Sequence, residues 1–278
     1  MSEYKYYAFL AIDRPIDAAA MKKLRAVSSR AQITPVSFVN HYEWGDFHGN
    51  IGKMMEHWFD LHLYFANWGS RRLMMKFPRQ LVDTAPLDGL KIATDAVKVR
   101  ERGEALIVDV CLDEMSDDDD DDYLDKVSNW LGELAPLRED VLSGDSRAFY
   151  LLWLLAVGEG GLRDDAVEPL PGVGPITKPL NAFADFLNLD PGLVRAAAET
   201  GSGGSYELSA SRIRQFVSAL PKTKKEECLC SLIEGKPHAL AGVQAKIREA
   251  AALKAGKARD TRRTAGELRA RAEEIGER

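Results

Sequence analysis

Four of the five histidines of this chain, His41, His48, His57 and His62, lie close together in sequence with Asp46, Glu56 and Asp60 among them. Imidazole and carboxylate side chains are the donor set of a zinc or iron site, and a histidine beside an aspartate is the material of a general base. The spacing supports neither. His57 and His62 are five apart, off the i, i+4 face that sets two helical ligands side by side. Ser37 and Ser70 stand in no G-x-S-x-G elbow, and no cysteine lies near a histidine. An enzyme built around His41 to His62 is therefore a third reading, conditional on adjacent strands bringing His41 and His62 together.

The other chemistry-bearing residues fare no better. Cys228 and Cys230 on a helical pattern point to different faces, and no second cysteine pair exists for a structural zinc. Gly172-Val173-Gly174 sits between prolines without a preceding strand, so it reads as linker and not as a phosphate loop. The six aspartates Asp117 to Asp122 lack the glycine and terminal glutamate of a calcium loop and read as a solvated boundary, or as a docking site for a basic partner. No metal site and no cofactor is expected.

Basic residues give two binding candidates. Arg71, Arg72 and Lys76 beside Tyr64, Phe65 and Trp68 offer the charge and stacking that single-stranded nucleic acid uses. The segment Gln244 to Arg278 carries ten Lys or Arg against six Asp or Glu, in a chain whose net charge is -6. The residues singled out for binding are thus Trp68, Arg71 and Arg72, with Lys254, Lys257, Arg259, Arg262 and Arg263 in the tail. An acidic total argues against a surface built throughout to hold phosphate.

Several elements must position these groups. Tyr4 to Asp13 alternates as a strand with both faces buried, and Asp17 caps a helix through Ser29. Ile33 to Trp44 reads as one strand interrupted by Pro35. Asn50 caps a helix from Ile51 to Phe59, and His62 to Phe65 and Leu73 to Phe77 pair across Asn67 to Ser70. Ala96 to Glu114 reads as a hairpin across Gly103-Glu104 that extends the same sheet. From Tyr123 onward the pattern is helical: Tyr123 to Leu134, Leu137 to Leu142, Ser146 to Val157, Lys178 to Leu187, Pro191 to Glu199, Ala210 to Leu220, Lys222 to Ile233 and Leu240 to Leu253. The closing segment reads as a solvent-exposed or frayed helix.

A chain of 278 residues, 45% of them apolar, suffices for two cores. The expected architecture is α+β: a ferredoxin-like sheet domain over residues 1–116, an all-helical domain over 123–239, and a charged helical tail over 240–278. Three cysteines are too few for a disulfide framework and indicate a reducing, cytoplasmic compartment. The opening residues MSEYKYY carry no basic, apolar leader. Ala148 to Val157 is half the roughly 20 residues a membrane span needs, so it is a core helix and no membrane is expected.

The segments YYAFLAIDRP, ITPVSFVNHYEWGDFHG, FANWGSRRLMMKFP and SGDSRAFYLLWL resemble those of a bacterial protein family across residues 4–200. The resemblance implies no reaction, cofactor or site residue. The function expected is that of a non-catalytic protein-binding or scaffolding protein, acting on another protein or on its own copies. Nucleic-acid binding through the basic carboxy-terminal helix is the second reading.

Overall fold

The computed structural model describes residues 3–113, 123–201, 209–252 and 261–277. The chain forms two compact units, a sheet unit (1–80 and 89–138) and a helical unit (81–88 and 139–278). The fold is α+β, and among the described residues no helix is long and apolar enough to cross a membrane.

In the sheet unit, β1 (Lys5–Leu10) is followed by α1 (Ala18–Val27), β2 (Gln32–Thr34), β3 (Ser37–Tyr42), α2 (Ile51–His57), β4 (Leu61–Ala66) and β5 (Arg71–Pro78). The short α3 (Leu90–Ala93) then leads into the hairpin β6 (Val97–Arg102) and β7 (Ala105–Leu112). All seven strands join one antiparallel sheet in the order β2-β3-β1-β4-β5-β7-β6. The expected caps form: the Asp17 side chain accepts from Ala20 N–H and the Asn50 side chain from Lys53 N–H.

One strand expected from sequence is two. Thr34 pairs with Ser37, so Pro35 and Val36 are the turn of a hairpin and not an interruption within a strand. The proline has no N–H to donate, and a turn position outside the ladder needs none; its carbonyl accepts from Ile16 N–H (2.6 Å) and that of Val36 from Ala11 N–H (2.9 Å). The turn is thereby pinned to the exit of β1.

Strand alternation divides the sheet's side chains into two cores. Tyr7, Phe9, Phe38, Met74 and Ile107 face Ala20 and Leu24 of α1 and Met54 and Met55 of α2. The opposite face presents Ala8, Leu63, Phe65, Leu73, Met75, Phe77, Val108 and Val110, all buried. Over it runs α4 (Tyr123–Leu142), whose Trp130 ring meets Phe65 edge-on at 6.3 Å and whose Arg138 guanidinium lies 5.9 Å over Phe77. Arg138 also donates to Lys76 O and Asp13 Oδ2, each at 2.7 Å. α4 is one helix where two were expected. Pro136 lies inside it, and the burial of Leu134 and Leu137 on either side offsets the roughly 3 kcal/mol a mid-helix proline costs.

The helical unit contains α5 (Arg147–Gly158), α6 (Lys178–Phe186), α7 (Pro191–Ala198), α8 (Ala210–Ala219), α9 (Lys222–Ile233), α10 (Ala239–Ala252) and α11 (Ala265–Gly276). α5 is buried from Arg147 to Val157, as its continuous apolar sequence requires. The segment around Gly172 is no open linker. Val173 is fully buried, and a Cβ added to Gly172 would lie 2.2 Å from the carbonyl oxygen of Thr200. The closing helix is not frayed either: Thr264 and Glu267 form a capping box, and Ala265 and Leu268 are buried.

Candidate functional site

Two turns, Gly45 to Gly49 and Asn67 to Arg72, meet at Lys5. Its ammonium donates to Gly45 O (3.1 Å), lies 3.8 Å from the Asp46 carboxylate and stands 5.4 Å over the Trp68 ring. The indole N–H of Trp68 donates to Ser70 Oγ at 2.9 Å. Tyr4 and Asn67 fasten the second turn through Tyr4 N–H to Asn67 Oδ1 and Asn67 N–H to Tyr4 O, both 3.0 Å.

The first turn is fastened from below. Asp46 Oδ1 accepts from the Tyr7 hydroxyl (2.7 Å) and from Phe47 N–H (2.8 Å), and the Phe47 ring lies 5.1 Å from that of Tyr7 and 5.7 Å from that of Phe38. Burial pushes the Asp46 carboxyl up, but the bonds from Tyr7 and Phe47 and the charge of Lys5 outweigh it and hold it low. Burial and the same bond push the Tyr7 phenol far above its ordinary range, and burial with the charge of Asp46 pushes Tyr64 up to about 12. Both phenols are thus protonated at neutral pH; they hold position and do not serve as bases. Above this frame Trp44 is 73% exposed.

The second polar centre is on the same face of the sheet, among β5, β7 and β6. Asp109, 2% exposed, accepts a bidentate pair from Arg72 Nε and Nη2 (2.7 Å each) and a third bond from Arg100 Nη1 (2.9 Å). Lys98 is its register partner on β6. Two guanidinium groups thus share one carboxylate. Arg71, next to Arg72 in sequence, turns to the other face and is buried, so the Arg71-Arg72 pair does not form one patch. Trp68 and Arg72 belong to the polar face, and Arg71 does not.

The histidines scatter. β1 lies between β3 and β4, with His41 opposite Tyr6 and His62 opposite Phe9, so the two imidazoles occupy different faces. His41 Nδ1 is 2.7 Å from the Tyr4 hydroxyl, while His62 is fully buried and stacked 4.0 Å from Phe9. His57 Nδ1 lies 2.9 Å from Lys53 O within α2. Among the described residues no group of three His, Cys, Asp or Glu side chains could hold a metal ion. The chain matches no family model, no curated protein and no solved structure.

In the tail, Lys254, Lys257 and Arg259 lie outside the described residues, and Arg262 is exposed. Arg263 donates to the buried Glu168 and to Ala196 O (2.6 Å) and Ala197 O (3.2 Å) at the end of α7. Arg269 donates to Val157 O at the end of α5, and Arg248 to Leu142 O and Ser143 O at the end of α4. Each supplies a cation and donors to the unsatisfied carbonyls at a helix C-terminus. Much of the tail's basic charge thus works inside the unit. Sequence spacing has no means to show this, because the partners lie 66 or more residues away. Lys5, Arg100 and Asp109 went unnoticed for the same reason, although a lone aspartate in the apolar run ALIVDVCL was a signal that a buried acid would require cations.

Proposed function

We propose that the protein is a non-catalytic protein-binding or scaffolding component of a bacterial cytoplasmic assembly, and that another protein docks over Trp44. The observation carrying this reading is a largely exposed indole next to a loop that is bonded to the sheet. Lys5, Tyr7, Asp46 and Phe47 fix the loop on the sheet, so the ordering cost of binding is already met and the large side chain can serve as an anchor. A second support is α9, which buries none of its side chains and leaves Leu229, Leu232 and Ile233 exposed. The absence of an activated nucleophile or base at either polar centre favours binding over turnover.

The finer architectural reading accords with this. The hairpin β2-β3 between α1 and α2, and the partial order β2-β3-β1-β4, support a ferredoxin-like framework extended by β5, β7 and β6. Three free cysteines support the cytoplasm as its compartment.

The test is quantitative affinity capture from the native cell extract with three proteins. Trp44→Ala should weaken retention of a specific partner at least tenfold, the loss typical of an aromatic anchor, and leave the urea midpoint unchanged. Ile92→Ser, which alters another exposed apolar side chain, should retain it. Equal retention by the wild type and Trp44→Ala would overturn the proposal.

A further inference from the structure

β6 is the outermost strand at one end of the sheet, six residues long, whereas β2 at the other end has three. Its phase is set by Cys111 N–H donating to Ala96 O at 2.8 Å, which makes these opposed residues a bonded pair. Bonded and non-bonded pairs alternate in an antiparallel ladder. Lys98, Arg100 and Arg102 therefore direct their backbone groups toward β7, and Val97, Val99 and Glu101 direct theirs outward. Pro78 agrees with this phase: it sits opposite Ala105 on the other flank of β7, where Ala105 bonds to β6 and asks no N–H of β5.

A shallow groove of about 270 Å³ follows this edge, lined by Thr94, Asp95, Val97, Lys98, Val99 and Arg100. On β6 itself Lys98 is exposed and Arg100, bonded to Asp109, is half-exposed. That charge selects the occupant. A second copy of β6 pairing antiparallel about Val99 would set Lys98 against Arg100, and like charges directly opposed are destabilising. A strand carrying carboxylates at those positions meets the reverse situation.

We propose that β6 accepts an extended acidic segment of a partner protein as an eighth strand, held by main-chain bonds to Val99 and Glu101 and by carboxylates set against Lys98 and Arg100. This surface is separate from Trp44 and does not depend on the reading given for it.

The probe is a fluorescein-labelled ten-residue peptide alternating threonine and glutamate, titrated by anisotropy into the full chain at low salt. It should bind, and the threonine–lysine counterpart should not. A version N-methylated at alternate residues, unable to complete the main-chain ladder, should bind at least tenfold more weakly. Val99→Pro removes an outward N–H without breaking a ladder bond, as edge strands tolerate, and should weaken binding by a similar factor. Lys98→Glu should do the same, while Trp44→Ala binds as the wild type does. Absence of binding by the acidic peptide, or equal binding by the N-methylated or lysine peptides, would overturn the proposal. So would undiminished binding to Val99→Pro or Lys98→Glu.

Discussion

Replacing Arg263 by methionine is expected to destabilise the helical unit by about 3–5 kcal/mol, the cost of removing one partner from a buried ion pair. Glu168 is 0% exposed and receives Arg263 Nε at 3.2 Å, Arg263 Nη2 at 3.1 Å, Arg263 N–H at 2.8 Å and the Tyr150 hydroxyl. Without the guanidinium its charge stays in the interior with a phenol and a single N–H. The same side chain closes the carbonyls at the end of α7, and the adjoining backbone pairs Glu168 N–H with Arg263 O (2.8 Å) and Ala265 N–H with Ala166 O (2.8 Å). Urea denaturation of Arg263→Met, Glu168→Met and the double variant decides the matter. The double variant should recover much of the loss, since removing both charges leaves neither unpaired. A loss below about 1 kcal/mol in Arg263→Met would contradict so tight a coupling. The experiment also separates architecture from recognition, because a binding role for Arg263 would have to be met by a guanidinium already committed to four acceptor contacts.

What was legible in the sequence was whatever depends on neighbours along the chain. Asp17 and Asn50 were recognisable as caps because capping reaches only three residues. The β6-β7 hairpin followed from Gly103, which turns with φ of 58°. The alternation of β5 was readable too, and it alone suffices to part Arg71 from Arg72. What it could not supply was the third dimension of the polar face. The Asp109 clamp joins three strands at separations of 37 and 9 residues, and its existence depends on the register of β5 and β6 against β7. The junction at Lys5 likewise requires that a strand start, the β3 exit and the β4-β5 turn share one end of the sheet. Pro35 misled for a local reason: proline marks both an edge strand and a turn, and only the pairing of Thr34 with Ser37 distinguishes them.

Acidification should destabilise the sheet unit well before its carboxylates titrate, and His62 should account for most of the effect. Nδ1 lies 3.0 Å from the carbonyl of Ala8, which can only accept, so Nδ1 carries the proton and Nε2 the lone pair. Nε2 is the one buried side-chain nitrogen or oxygen without a hydrogen-bond partner among the described residues. Burial holds the imidazole down to about 3, with Ala8 opposing and Arg72 assisting. An unfolded histidine takes up its proton near 6.5, so as pH falls below that value the unfolded chain gains a proton the folded one refuses. Stability is complete above 6.5 and is lost progressively toward 3, at up to about 1.4 kcal/mol per pH unit. Asp46, held low in the fold, loses its contribution only below the usual carboxylate range, so the interval from 6.5 to 4.5 reports on histidines, of which His62 should cost about 2–3 kcal/mol. His41 is lowered by burial in the same direction, and His41→Asn serves as the comparison. Urea midpoints measured across that interval should fall steeply for the wild type and for His41→Asn, and flatten in His62→Phe, whose ring keeps the stack on Phe9 without a titratable nitrogen. A slope unchanged in His62→Phe would place the acid sensitivity elsewhere.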